Sequence, residues 1–195
     1  MKSNICKIEK GSKDLEAIFR ECEKVAVYNE LDHKQALQLR LMCEEIDGLL
    51  PEIIKDFNGD WWIDFEDGVC KVNVSVEIEK FTANKKEELI NIANNKKNAA
   101  ATTFTGKIRS ALESFFLDED VQQSYTTSTF GFHLAMGYVD YSYLWSLQQY
   151  KTTVNKEESQ AWDELEKSVL ACVADDVIVG VKGKRADIVI VKKFA

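Results

Sequence analysis

Proline is almost missing from this chain, one residue in 195, and glycine is held to nine. So few breakers exclude long flexible linkers and low-complexity arms, and they point to a folded globular chain. Histidine is scarcer still, with only His33 and His133, which leaves no cluster from which to build a histidine-based metal site. Close cysteine pairs are absent as well. Cys6, Cys22, Cys43, Cys70 and Cys172 are odd in number and widely spaced, so they form neither a zinc-type motif nor a disulfide framework and read as small buried hydrophobes. No apolar run is uninterrupted: the richest window, FGFHLAMGYVDYSYLWSL over residues 130–147, is broken by His133, Asp140 and hydroxyls. It falls short of the roughly twenty apolar residues of a bilayer span and reads as buried in protein. The first residues, MKSNICKIEKGSKDLEAIF, contain no apolar core of a secretion signal, so a cytoplasmic location is expected. Positive charge is also in deficit. With 25 basic against 33 acidic residues the net charge is −8, which argues against nucleic acid and anionic membrane as partners, since both are held through cationic contacts. Lys96-Lys97 and the stretch Lys182 to Arg185 are the densest basic patches; both are short, and the second falls where a hairpin turn exposes solvated lysines.

What is present fits one domain with a sizeable insertion: apolar residues make up 45% and charged residues 30% of the chain, enough to bury a core. Residues 5–8 suggest a short opening strand. Ser12 then stands before a helix whose apolar face is Leu15, Ile18, Phe19, Cys22, Val25 and Ala26. Asp32 caps a second helix with a broad apolar face from Ala36 and Leu37 through Leu50, which Gly48 and Pro51 are expected to kink. The period then changes to two. Trp61–Phe65 and Val69–Ile78 alternate around Glu66-Asp67-Gly68, the clearest hairpin signal in the chain, and the alternation sends one of the Trp61-Trp62 indoles inward and the other outward. Residues 83–157 read as a mostly helical insertion, with helices over 85–94 and 108–117 and a polar connection over 94–105. A continuous helix over 157–174 follows, and then strands 177–181 and 186–191. Scaffold residues 1–82 and 158–195 with this insertion make one α+β domain, a two-layer α/β sandwich with a mixed or antiparallel sheet covered by helices on one face.

The chemistry-bearing candidates sit in CEEIDGLLP, residues 43–51. On a helix Glu44 and Gly48 share one face, while Glu45 borders the apolar stripe beside Leu41 and Leu49. A half-buried glutamate can serve as a general base; a pair of glutamates on a helix is also what a solvated edge looks like. Thr105-Gly106-Lys107 with Arg109-Ser110 lacks the full phosphate-loop pattern and is set aside. The aromatic string Tyr138, Tyr141, Tyr143, Trp145 and Tyr150 suits either core packing or a ligand pocket, with core preferred.

The stretch LQLRLMCEEIDGLL over residues 37–50 resembles the nucleotide-site helix of the GHKL ATPase superfamily, which includes histidine-kinase catalytic domains and anti-sigma-factor serine kinases. The closing stretch WDELEKSVLACVADDVIVGVKGKRADIVIVKKF over residues 162–194 is similar to that family's last helix and final strand pair. The resemblance implies Mg-ATP held by an asparagine four residues after the helix glutamate, by an Asp-x-Gly-x-Gly turn after the hairpin, and by a Gly-x-Gly loop before the last helix. Here Gly48 follows Glu44 at that spacing, Glu77-Ile78-Glu79-Lys80-Phe81 stands where the turn belongs, and Glu157 to Asp163 contains no glycine. Gly48 and Glu77 therefore mark eroded cofactor-binding positions. The expectation is a regulatory interaction domain without a cofactor or metal, acting through a protein partner or self-association rather than as an enzyme. Two alternatives stand beside it: a working anti-sigma-type serine kinase that binds Mg-ATP with Glu44 and Glu45 as catalytic residues, and a small-molecule-binding domain using the aromatic insertion.

Overall fold

A computed structural model describes residues 1–10, 15–54, 56–77, 103–117, 142–154, 163, 166–182 and 184–194. In chain order the elements are β1 (Cys6–Glu9), α1 (Leu15–Tyr28), α2 (His33–Ile53), β2 (Asn58–Glu66), β3 (Val69–Glu77), α3 (Phe104–Leu117), β4 (Ser142–Ser146), α4 (Leu147–Thr153), α5 (Val169–Val173), β5 (Asp176–Lys182) and β6 (Arg185–Lys193). The fold is α+β. Six strands form one sheet in the order β1-β2-β3-β6-β5-β4, with every neighbouring pair antiparallel.

The β2–β3 hairpin turns at Asp67 (φ 49°) and Gly68 (φ 75°), so both central residues take the left-handed conformation that an Asp-Gly pair accommodates. Its alternation buries Trp61, Ile63 and Phe65 of β2 and Cys70, Val72, Val74 and Val76 of β3. The same core takes Val177, Val179 and Val181 of β5 and Ala186, Ile188 and Ile190 of β6. Trp61 is inward and Trp62 half-exposed, its Nε1–H donating to Asp64 Oδ2 at 2.8 Å. Asn73 and Ser75, which alternate with those valines along β3, are buried as well. Both are satisfied: Asn73 Nδ2 donates to Asp64 Oδ2 (3.1 Å), and Ser75 Oγ accepts from Arg185 Nε (3.0 Å).

Helix α2 starts from a full capping box, in which Gln35 N–H donates to Asp32 Oδ1 (2.8 Å) and Asp32 N–H to Gln35 Oε1 (3.0 Å). It runs through Gly48 and Pro51 to Ile53, where Ile54 turns extended and its N–H caps Leu50 O at 2.8 Å. Proline is accommodated so close to the end because only the bond from residue 51 to the carbonyl of Asp47 is forfeited. Its buried side is Leu39, Met42, Cys43, Ile46, Leu49, Leu50 and Ile53; Leu37, read as part of that face, is 56% exposed. Helix α1 packs on α2 and β2, α3 on α2 and β4, α4 on β4 and β5, and α5 on α2.

Two expectations need correction. Residues 142–146, placed in a helical insertion, form β4, an edge strand paired with β5. The expected continuous helix over 157–174 is broken at Ser168, which adopts an extended backbone and caps α5 through a bond from Ala171 N–H to its Oγ at 3.2 Å. The helix expected over 108–117 exists and begins earlier, at Phe104. The helix expected over 85–94, most of the polar connection over 94–105, Lys96-Lys97 and His133 lie outside the described residues. Among the described residues no helix is long and apolar enough to cross a membrane.

Candidate functional site

Three of the four residues singled out from the sequence meet at one place. Glu44, Glu45 and Gly48 of α2, with Leu49 and Glu52, line a cavity of about 360 Å³. Its opposite wall comes from Thr103, Phe104 and Thr105 at the start of α3 and from Lys167, Ser168 and Leu170 at the start of α5. The fourth, Glu77, is exposed at the end of β3, between Asn58 and Arg185 of the neighbouring strands, and is not among the lining residues.

The helix period sets each side chain. Met42, Cys43, Ile46, Leu49 and Leu50 face the core, so Glu45 falls half-buried at the margin of that stripe while Glu44 is exposed. Glu44 is also partnered: its Oε1 accepts from Arg40 Nε one turn earlier at 3.2 Å, and the Arg40 guanidinium lies over the Phe19 ring of α1, 4.5 Å from its centre. Asp47, beside Gly48, has its carboxyl pushed above the usual range by desolvation. Gly48 is exposed, and a Cβ built there meets nothing within 4 Å, so this wall of the cavity is open backbone.

Across the cavity Thr103 caps α3, its Oγ1 accepting from Gly106 N–H at 3.1 Å. Phe104 is buried behind it, edge-on to Trp145 of β4 with ring centres 5.7 Å apart. Trp145 in turn meets Tyr150 of α4 at 5.7 Å. These two aromatics pack against the core, as preferred from the sequence; Tyr138 and Tyr141 lie outside the described residues. Lys107, from the discarded phosphate-loop candidate, lies over the Tyr150 ring at 5.7 Å. His33 is exposed at the start of α2. Among the described residues no group of three His, Cys, Asp or Glu side chains could hold a metal ion.

Among the described residues the lining is therefore three carboxylates, two threonines, one serine, one lysine and apolar walls. Glu52, Thr103, Phe104, Lys167 and Ser168 were missed from the sequence, and Thr105 had been set aside with the phosphate-loop candidate. Two of them carried a signal: Thr103 and Ser168 each stand one residue before a helix start, where a hydroxyl caps the first turn. No family model, no curated protein and no solved structure matches the chain.

Proposed function

We propose that the chain is a regulatory protein-interaction domain on a GHKL-like scaffold, and that the cavity beside α2 receives a basic side chain of a protein partner. The charge of the lining carries this reading. Among the described lining residues Glu45 and Glu52, with Glu44 that Arg40 already pairs, stand against the one ammonium of Lys167, and the chain as a whole is at −8. Such a wall repels a polyphosphate and attracts a lysine or arginine, and the overall charge steers a basic partner toward it. At Gly48, where the resemblance would place an asparagine, there is no side chain to support a magnesium ion.

The test is the thermal midpoint with either of two additives. Millimolar Mg-ATP is expected to leave it unchanged. A lysine-rich peptide is expected to raise it, and the rise should shrink at high salt and vanish in the Glu45→Gln/Glu52→Gln double variant. A rise of several degrees with Mg-ATP would sink the proposal.

That outcome would favour the serine-kinase alternative, which has one observation on its side. The start of α3, with Thr103 and Thr105, opens on the cavity, and a helix N-terminus offers amide hydrogens and partial positive charge to a phosphate. On that reading Glu44→Gln or Glu45→Gln abolishes phosphoryl transfer.

A further inference from the structure

Three cysteines that the sequence separates come together inside the protein. Cys22 of α1 and Cys43 of α2 are both buried, and their Sγ atoms lie 2.9 Å apart. Cys70 of β3 is buried near enough to act electrostatically on Cys43. The other two differ: Cys172 is exposed and Cys6 half-buried, so the expectation of five small buried hydrophobes holds for three. A thiol is a weak donor, and so close a contact gains little as a hydrogen bond. A disulfide needs an S–S distance of about 2.03–2.05 Å, so these sulfurs are less than about 1 Å from bonding.

We propose that Cys22 and Cys43 are a redox pair that closes to a disulfide and ties α1 to α2. The oxidant is a peroxide. One sulfur, as thiolate, attacks a peroxide oxygen; the O–O bond breaks, leaving a sulfenic acid and a hydroxide that takes up a proton as water. The second sulfur attacks the sulfenic sulfur, the S–S bond forms, the S–O bond breaks, and the thiol proton leaves with the departing oxygen as a second water. Two thiols lose two electrons and one hydrogen peroxide becomes two waters.

The surroundings set the rate. Burial, and then the neighbouring Cys22, push the Cys43 thiol well up, and burial pushes Cys70 up to about 12. Both sulfurs are shut off from solvent and the Cys43 thiolate is scarce at neutral pH, so peroxide reaches the pair through forms in which α1 and α2 have parted. The pair is thus a slow lock, and the closed bond is shielded from solvent thiols. Since Cys43 directly precedes Glu44 and Glu45, the cross-link fixes the helix that bears the cavity wall, whatever that cavity binds.

The experiment incubates the full chain with hydrogen peroxide in urea below the unfolding transition, quenches in acid, alkylates under denaturing conditions and maps unreduced peptides by mass. The expected product is a Cys22–Cys43 peptide pair lighter by two hydrogens, formed also by Cys70→Ser, with a thermal midpoint roughly 5–10 °C above the reduced protein and reversed by dithiothreitol. Cys43→Ser should show no peroxide-dependent rise. Cross-links only through Cys70 or Cys172, or recovery of both Cys22 and Cys43 as alkylated thiols after prolonged oxidation, would overturn the proposal on the wild-type map alone, whether or not the serine variant folds.

Discussion

Replacing Gly48 by alanine should stabilise this protein, although the site lies on the wall of its candidate binding cavity. Gly48 is inside α2, five residues before its last residue, and its φ is not in the left-handed region. A Cβ at this position finds open space. The substitution therefore adds no clash and removes only the backbone entropy that glycine loses on entering a helix, about 1 kcal/mol relative to alanine. For a chain of this size about 1 kcal/mol raises the thermal midpoint by roughly 2–4 °C. Calorimetry or circular dichroism should show that rise, and a urea titration should show a higher midpoint with an unchanged slope, since no new surface is buried. Gly48→Asn should gain only about 0.3 kcal/mol, giving the order alanine, asparagine, glycine. An unchanged or lowered midpoint in the alanine variant would refute the reasoning, because it would require a neighbour over residue 48 or a non-helical backbone there.

Gly59 should respond in the opposite sense. A Cβ there runs into Ser75 O and falls 2.8 Å from Val76 Cα, backbone atoms of the paired strand that cannot move alone, so Gly59→Ala is expected to cost about 1–3 kcal/mol by chemical denaturation. Glu21, 7% exposed on α1, accepts from Asn4 N–H and Nδ2 (both 3.0 Å) and from Lys24 Nζ (2.6 Å). Burial alone would raise its carboxyl, but these bonds outweigh burial and hold it below the usual range. Glu21→Gln should cost about 1.5–3 kcal/mol at neutral pH. A lowered folded pKa gives stability that is present above the unfolded value, about 4.3, and lost as pH falls through the folded one, so the gap between wild type and variant should close on acidification. A gap independent of pH would assign the effect to shape rather than charge.

The parts of the fold that could be read in advance are those whose determinants are neighbours in sequence. Asp67-Gly68 between alternating residues specifies the β2–β3 hairpin, and Asp32 with Gln35 three residues on specifies the start of α2. Strand β4 was hidden although Tyr141, Tyr143 and Trp145 repeat every second residue, because the strand is only five residues long and its flanks read as helical. The break at Ser168 was hidden because apolar spacing continues across it from Leu165 to Val169. The cavity was half legible for the same reason: Glu44, Glu45 and Gly48 share one helix, whereas Thr103 and Lys167 arrive from distant segments and no local pattern announces their meeting. The contact of Cys22 with Cys43 joins two separately readable helices, and only their packing reveals it.

The strand order has a consequence for how the chain must be made. Hairpins β2–β3 and β5–β6 can each close by themselves, but the sheet is joined through β3 and β6, where Val69 pairs with Lys193 and Glu77 with Arg185. During synthesis, β3 therefore waits with one edge unpaired while more than a hundred further residues are added. A row of free amides and carbonyls flanked by Val72, Val74 and Val76 is a template for another chain's strand. Vulnerability to aggregation should thus fall on the nascent and truncated forms: a chain stopped before β5 should be far less soluble than the whole, even though most of its residues are the same.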